Sequence, residues 1–308
     1  AARAARRGHR VHDDPSSLDG AAWNALLATQ ARPTPFMRWD YLAAMQTSDS
    51  AVARTGWVPR FDTVHRDGQL VGAAPAYLKH HSYGEYVFDW AWADAYQRHG
   101  LRYYPKLLGA VPFTPVPGAR LLAHHSGDRR LLLRAIRQLA AQDGLSSAHL
   151  LFLDDADREA TLAEGWLSRS TVQFHWTQPS GTPYPDFASF LAALQREKRK
   201  KIQQERRRVA EAGIVFELLE GPAIDGASWD FFHHCYTLTY RAHRSTPYLT
   251  RDFFARMAAT MPQHWVMFIA RRGGERVAAS LIAVDPARRV AYGRYWGSIE
   301  HVPCLHFE

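Results

Sequence analysis

Short runs of hydrophobic and polar residues follow one another along the chain, and runs with the twofold alternation of a strand are interspersed with runs of helical periodicity. This pattern is typical of an α/β fold. The clearest run predicts a hairpin, in which Arg60–His65 and Gln69–Tyr77 are strands joined by a tight turn at Asp67-Gly68. An aromatic run after it, Tyr86–Trp90, predicts another strand.

The same order of elements recurs in the last third of the chain. His264–Ala270 and Arg276–Val284 predict two strands around a turn at Gly273-Gly274, and the aromatic run Val290–Trp296 predicts a third. Aligning Gly68 with Gly274 gives an offset of 206 residues. An offset of this size indicates duplication of a whole domain.

Two modules are therefore expected, with boundaries at residues 1–178 and 187–308 and a proline-rich linker at 179–186. The second module is predicted to begin with one helix, Phe187–Ala212, that ends at Gly213. The repeat offset places the end of this module about 70 residues beyond Glu308, so the second module is expected to be incomplete. The first module is completed by predicted helices and strands at Ala91–His99, Leu107–Phe113, Arg129–Gln142 and Ala148–Leu153.

Composition narrows the class of protein. With 308 residues and 46% hydrophobic residues, the chain is long enough for a packed core, and it contains no run typical of a membrane span or secretory signal, so a cytoplasmic protein is expected. Two cysteines are too few for a disulfide framework or a thiolate zinc site, and sixteen histidines show no HExxH spacing, so no metal is indicated. The net charge of +8 favours anionic partners.

Several long blocks resemble the signature sequences of one bacterial family. These blocks are His81–Tyr96, Tyr103–Leu122, Tyr292–Gly297 and Leu305–Glu308. They resemble the FemAB-like predicted N-acyltransferases, often described as peptidoglycan biosynthesis or recognition proteins, from about Asp14 onward. The segment Lys198–Leu218 is similar to the basic helix, glycine and strand that open a Fem-type module. The resemblance implies α/β, tandem GNAT-like (acyl-CoA N-acyltransferase-like) mixed-sheet modules.

The resemblance also implies an activity. A Fem-like or GNAT-like enzyme transfers an acyl or aminoacyl group from an activated donor to an amine, here in a small molecule or a peptidoglycan precursor. The donor is a co-substrate, acyl-CoA or aminoacyl-tRNA, and no tightly bound cofactor is expected. Two alternatives remain open: a non-catalytic protein that recognises peptidoglycan or a sugar-peptide, and a nonspecific nucleic-acid binder.

Two carboxylates in the aromatic run are the principal candidates for acid–base chemistry. If Glu85–Asp89 is a strand, Glu85 and Asp89 share one face and lie about 13 Å apart, too far for a glycosidase pair. Glu85, His81 and Asp89 are the predicted catalytic residues, and a structural ion pair is the competing interpretation.

Basic and aromatic residues near these carboxylates predict a rim that binds substrate. In the second module, Arg294 lies in an aromatic strand, where its guanidinium needs a planar anion such as Glu308 or a substrate. A core role for the aromatic residues is the alternative. The predicted substrate-binding residues are Lys79, Tyr83, Trp92, Asp94, Tyr104, Lys106, Arg294, Tyr295, His306 and Glu308.

The run from Arg196 to Arg208 contains eight basic and two acidic residues. Such a run is usually a solvated helix face, and it can also bind the phosphates of a donor, including those of a tRNA. The predicted phosphate-binding residues are Arg199, Lys200, Arg206 and Arg207.

Overall fold

The computed structural model describes residues 7–178 and 181–307, which form two compact units. The first unit consists of the described residues of Ala1–Ser168 together with Pro247–His264 and Val284–Ala291. The second consists of the described residues of Arg169–Thr246 together with Trp265–Ala283 and Tyr292–Glu308. These units divide the chain differently from the predicted modules, whose boundaries stay a prediction.

The first unit is a mixed α/β structure. Its elements up to residue 163 are β1 (Arg7–His12), α1 (Gly20–Ala28), α2 (Trp39–Thr47), β2 (Trp57–Pro59), β3 (Phe61–Arg66), β4 (Gln69–Ala74), β5 (Tyr77–Lys79), α3 (Trp90–Arg98), β6 (Lys106–Gly109), β7 (Leu122–Ala123), α4 (Ser126–Gln142), β8 (Ala148–Leu150) and α5 (Asp155–Ala163). They form a sheet of order β1-β3-β4-β7 and another of order β2-β5-β6-β8, in which β6 and β8 are parallel.

The predicted β3–β4 hairpin is confirmed. Asp67 and Gly68 both have positive φ angles, +50° and +86°, as a two-residue hairpin turn requires. The apolar face of α4 packs against the hairpin strands, with Leu132, Leu133 and Ile136 fully buried in one hydrophobic cluster. This cluster fixes the sheets from which the candidate site is built.

The elements that follow are α6 (Phe187–Ala192), α7 (Arg196–Glu211), β9 (Ile214–Glu220), α8 (Gly226–Ala242), α9 (Arg251–Thr260), β10 (Trp265–Arg272), β11 (Glu275–Asp285) and β12 (Val290–Ser298). The strands form one sheet of order β12-β11-β10-β9, and the hairpin predicted around Gly273-Gly274 is confirmed as β10 and β11. The predicted aromatic strand after it is confirmed as β12.

Helix α9 completes the core of the first unit although it follows α6–α8 in the chain. Its N-cap residue, Thr250, donates a hydrogen bond from its hydroxyl to the carbonyl of Ser48 at 2.9 Å, just after α2. Phe253 of α9 is fully buried, and its ring lies 5.3 Å from that of Tyr41 in α2 at an angle of 88°.

Several predicted elements differ from the structure. The strand predicted at Tyr86–Trp90 is wrong: this segment is a loop in which Tyr86 has φ +59°, and α3 begins at Trp90. The single helix predicted at Phe187–Ala212 is two helices, because residues 193–195 interrupt it. The strands predicted at Leu107–Phe113 and Ala148–Leu153 end earlier, at Gly109 and Leu150.

Candidate functional site

A buried ion cluster lies where β6 begins. The side chain of Lys106 is 1% exposed, and its Nζ donates hydrogen bonds to Glu85 Oε2 at 2.8 Å, Asp89 Oδ2 at 2.5 Å and Ser82 Oγ at 2.9 Å. The prediction that the two carboxylates lie about 13 Å apart on a strand face is therefore wrong. Both converge on a single ammonium group.

A tight loop between β5 and α3 turns the two carboxylates inward. Gly84 has φ +81°, and a Cβ atom at this position would lie 2.5 Å from the Phe113 ring. The backbone N–H of Phe113 donates a 3.2 Å hydrogen bond to the carbonyl of Gly84, which holds the loop in place. Together with the positive φ of Tyr86, this geometry directs Glu85 toward the sheet.

A second buried lysine, Lys79 at the end of β5, completes the cluster. Its Nζ lies 3.6 Å above the Trp57 ring and donates a 3.2 Å hydrogen bond to the carbonyl of Tyr83. Burial lowers the pKa of Lys79 to about 7; the charge of Lys106 acts in the same direction, and Glu85 acts against it. Lys79 can therefore exchange a proton near neutral pH.

The pKa values of the two carboxylates shift in opposite directions. Burial raises the pKa of Glu85, although the charges of Lys106 and Lys79 oppose the increase. Burial alone would also raise the pKa of Asp89, but hydrogen bonds from Lys106, Tyr103 and Ser82 outweigh it and leave that pKa low. Different environments thus make Glu85 the better proton acceptor and keep Asp89 ionised.

The hydrogen bonds described so far use one oxygen atom of each carboxylate. Among the described residues, Glu85 Oε1 and Asp89 Oδ1 are buried and have no hydrogen-bond partner. Buried polar atoms in native proteins are nearly always paired, so these two oxygens have unused capacity to accept hydrogen bonds.

An open cleft of about 430 Å³ lies between α3 and the segment that leads into β6. Its lining includes Trp90, Asp94, Gln97, Arg102, Tyr103 and Tyr104. Two of these side chains also bind the ion cluster. The hydroxyl of Tyr103 donates to Asp89 Oδ2 at 2.7 Å, and the hydroxyl of Tyr104 lies 2.7 Å from Ser82 Oγ. The cleft and the cluster are therefore parts of one site.

The structure brings together many of the residues predicted for the first module. Lys79, Glu85, Asp89, Tyr104 and Lys106 form the cluster and its link to the cleft, and Tyr83 contributes its backbone carbonyl. Asp94 lines the cleft and pairs with Arg98 at 2.9 Å. Trp92 is half exposed and lies outside the cleft lining.

His81 lies beside the cluster rather than in it. Its ring packs on Gly56, where a Cβ atom would lie 2.1 Å from Nε2, and its Nδ1 accepts a 3.3 Å hydrogen bond from the Tyr83 backbone N–H. Burial, followed by the charges of Lys79 and His80, lowers the pKa of His81. A neutral imidazole is favoured there.

The predicted residues of β12 and the chain end lie in the second unit. Arg294 donates a 2.8 Å hydrogen bond to the hydroxyl of Tyr295, and its guanidinium lies 4.9 Å from the Tyr295 ring. The ring of His306 packs edge-on against Trp296. Glu308, the predicted partner of Arg294, lies outside the described residues.

The basic run is confirmed as a helix, α7, that buries only Val209 among its residues. Lys200, Arg206 and Arg207 are exposed, and Arg199 is half-buried. The guanidinium of Arg206 lies 4.2 Å from the Phe187 ring. A phosphate-binding role for these residues stays a prediction.

Sequence reasoning missed two members of the cluster, Ser82 and Tyr103. Tyr103 stands next to the predicted Tyr104, so the double tyrosine was a usable signal. Nothing in the local sequence marks Ser82, whose partners are 22 and 24 residues away.

Neither a metal site nor a membrane span is found in the part of the chain that the structure describes. There, no three histidine, cysteine or acidic residues are grouped so as to hold a metal ion. No helix in residues 7–178 or 181–307 has the length and apolarity needed to cross a bilayer.

Comparison with known proteins identifies the family. The sequence matches the model of the FemAB-like family, described as peptidoglycan biosynthesis/recognition, over residues 14–308. A comparison with proteins of curated function gives no significant match.

Two solved structures are similar across most of the chain. The crystal structure of FemX has 11% identity and a TM-score of 0.51, and the match covers 91% of this chain and 79% of FemX. A conserved protein of unknown function from Bacteroides thetaiotaomicron has 10% identity and a TM-score of 0.50, covering 97% and 83% of the two chains. At such identities the likeness concerns the fold, and it confirms the expected mixed α/β fold. The chain therefore belongs to the FemAB-like family of peptidoglycan biosynthesis and recognition proteins.

Proposed function

We propose that this protein is an N-acyltransferase that moves an acyl or aminoacyl group onto an amine of a peptidoglycan precursor. Membership of the FemAB-like family supports the substrate class. The acceptor amine binds in the cleft between α3 and Tyr104, and the buried cluster receives the proton that this amine loses.

One observation carries the proposal: a continuous line of hydrogen bonds runs from the cleft wall to a buried carboxylate. The Tyr104 hydroxyl lies 2.7 Å from Ser82 Oγ, and Lys106 Nζ donates both to Ser82 Oγ at 2.9 Å and to Glu85 Oε2 at 2.8 Å. When Lys106 gives a proton to Glu85, its neutral amine can accept one from the Ser82 hydroxyl after that hydroxyl turns. Tyr104 then replaces the Ser82 proton, so a net proton moves from the cleft to Glu85. The raised pKa of Glu85 favours this final position.

The reaction balances with these groups. The acceptor nitrogen attacks the acyl carbonyl carbon, a C–N bond forms, and the bond from that carbon to the sulfur or oxygen of the donor breaks. The proton lost by nitrogen enters the line at Tyr104, and the same line returns it to the leaving thiolate or alkoxide.

Both candidate donors, acyl-CoA and aminoacyl-tRNA, carry phosphates. The exposed cations of α7 are suited to bind them, because a row of guanidinium and ammonium groups attracts phosphate without base-specific contacts. The outward orientation of Lys200, Arg206 and Arg207 supports this role.

A recognition protein without transferase activity is the second candidate. The observation that favours it is the burial of Lys79 and Lys106, which are 0% and 1% exposed. Ion clusters closed in this way also occur as purely structural features. In that case the cleft binds the sugar-peptide, and the cluster only shapes its wall.

Glu85→Gln separates the two candidates, since it keeps the shape of the side chain and removes the proton acceptor. Glu217→Gln is the matched control, because it breaks a half-buried ion pair with Arg271 in the second unit. Transfer is measured from acetyl-CoA and from aminoacyl-tRNA to a muropeptide that carries a free amine.

The proposal expects product with the unaltered protein, a loss of turnover of about 10²-fold or more for Glu85→Gln, and unchanged turnover for Glu217→Gln. Binding of the muropeptide without product from either donor supports recognition alone. Turnover per folded molecule that persists in Glu85→Gln shows that the carboxylate is a structural ion-pair partner.

A further inference from the structure

The loop before α3 and the first turn of α3 expose an unusual number of aromatic side chains. The exposed fractions are 60% for Tyr83, 45% for Tyr86, 82% for Phe88, 48% for Trp90 and 48% for Trp92. We call residues 83–92 the aromatic segment. Helix α3 buries none of its nine residues, so its aromatic side chains do not serve a core. Exposed apolar patches of this kind mark sites of interaction.

The outer surface of the aromatic segment carries little charge. The only charged residue between Tyr86 and Ala93 is Asp89, which is buried and held by Lys106 and Tyr103. The charge within the segment is thus neutralised inside the protein, while the aromatic rings face outward. The fixed turn at Gly84 keeps this arrangement in place.

Basic residues follow the aromatic segment at the far end of α3. Arg98, His99 and Arg102 are exposed, and Arg98 pairs with Asp94, one turn earlier in α3. The whole chain carries a net charge of +8, which attracts anionic surfaces over a distance. Tryptophan and tyrosine beside basic residues are the combination that proteins use at the boundary between lipid headgroups and acyl chains.

We propose that the aromatic segment docks the protein on the surface of a membrane that contains anionic phospholipid. Phe88, the most exposed of its rings, enters the acyl boundary, the tryptophan and tyrosine rings lie among the headgroups, and Arg102 contacts lipid phosphate. A membrane is favoured over a protein partner because the segment combines outward rings with a basic border, and its acidic charges are neutralised inside the protein. The attachment is peripheral, and it places the cleft beside Trp90 close to the lipid surface.

The test uses sedimentation of the whole protein with vesicles, either of phosphatidylcholine alone or of phosphatidylcholine with 30% phosphatidylglycerol, a composition chosen at roughly the anionic content that polybasic segments sense. Phe88→Ser removes the leading ring, and Arg102→Gln removes the basic contact. The matched control is Phe174→Ser, which removes a phenylalanine that is 99% exposed and lies outside the segment.

The unaltered protein is expected to sediment with the anionic vesicles. Its vesicle affinity should fall about tenfold in Phe88→Ser, because burying one phenylalanine contributes roughly that factor, and should be unchanged in Phe174→Ser. Arg102→Gln should weaken binding to the anionic vesicles only. Each of three results would overturn the proposal: no sedimentation above background, equal losses for both phenylalanine variants, or a change in oligomeric state of Phe88→Ser with unchanged sedimentation. The last result identifies the segment as a contact between copies of this chain.

Discussion

Replacing Lys106 with methionine is the most direct test of the buried cluster. Methionine keeps most of the side-chain volume and removes the ammonium group that binds both Glu85 and Asp89. The two carboxylates then remain buried, each 4% exposed, without their cation. The structure therefore predicts a large loss of stability.

The magnitude follows from the burial of all three groups. Removing one partner of a buried ion pair costs about 3–5 kcal/mol, because the remaining charge stays desolvated. Because Lys106→Met leaves two buried carboxylates without a cation, its cost should lie toward the upper end of this range. For a domain of this size each kcal/mol lowers the melting temperature by about 2–4 °C, so a decrease of about 10 °C or more is expected.

The stability of this variant should also depend on pH in a particular direction. Without Lys106 the pKa values of both carboxylates in the folded state rise above their unfolded values. Stability is then fully present below the unfolded pKa values and is lost as the pH rises through the folded ones. In the unaltered protein Asp89 behaves oppositely, because its lowered pKa adds stability that is lost as the pH falls. The two stability curves should therefore converge at acid pH.

Urea unfolding at pH 5 and pH 7, followed by circular dichroism, measures these differences. The control is the triple variant Lys106→Met, Glu85→Gln, Asp89→Asn. It has no unpaired buried charge in the cluster and should recover most of the lost stability. Two results would contradict this prediction. One is a free energy of unfolding of Lys106→Met within about 1 kcal/mol of that of the unaltered protein, and the other is a triple variant no more stable than Lys106→Met.

Three further predictions follow from other features. Because the pKa of Lys79 is about 7 in the folded state, the unfolded chain binds more protons than the folded protein above this pH. Between pH 7.5 and 9.5 the free energy of unfolding of the unaltered protein should therefore rise by up to about 1.4 kcal/mol per pH unit relative to that of Lys79→Met. A difference between the two proteins in urea unfolding that is the same at pH 7.5 and pH 9.5 would contradict this prediction. Gly84→Ala should destabilise by clearly more than about 1 kcal/mol, because it adds a clash with the Phe113 ring to the strain of a positive φ. Gly144→Ala, with φ +60° and open space around it, has the strain alone, so equal melting temperatures for the two variants would exclude the clash. Changing four cations of α7 to glutamine should weaken the binding of tRNA measured by filter binding. The slope of log affinity against log salt concentration should fall by about 0.7 for each phosphate that is no longer neutralised. An unchanged affinity would show that α7 is only a solvated helix face. The four are Arg199, Lys200, Arg206 and Arg207.

The features predicted correctly from the sequence depend on local chemistry. The turns at Asp67-Gly68 and Gly273-Gly274 need residues that accept positive φ, and such residues can be recognised directly in a sequence. The basic helix α7 was likewise visible from composition, although its separation from α6 was not. The family blocks pointed to the segment that contains the cluster.

The failed predictions depend on contacts between distant residues. The run Glu85–Asp89 has the alternation of a strand, but its conformation is decided by Lys106, which lies 21 and 17 residues away from the two carboxylates. Two positive φ angles, at Gly84 and Tyr86, then end any extended geometry. Tyr104 and Asp94, which were predicted to bind substrate, both line the cleft, whereas its connection through Ser82 could be seen only in three dimensions.

The packing of α9 against α2 has a practical consequence for work with parts of this protein. A truncated chain that stops at the linker near residue 178 would lack Thr250 and Phe253, and the side of Tyr41 that meets Phe253 would be open to water. During synthesis, Phe253 is added 67 residues after the predicted linker ends at residue 186, so this part of the core can close only then. Expression of the N-terminal half alone should therefore yield a chaperone-dependent or aggregating product, and a split between the halves would succeed only if residues 247–264 were retained with the first.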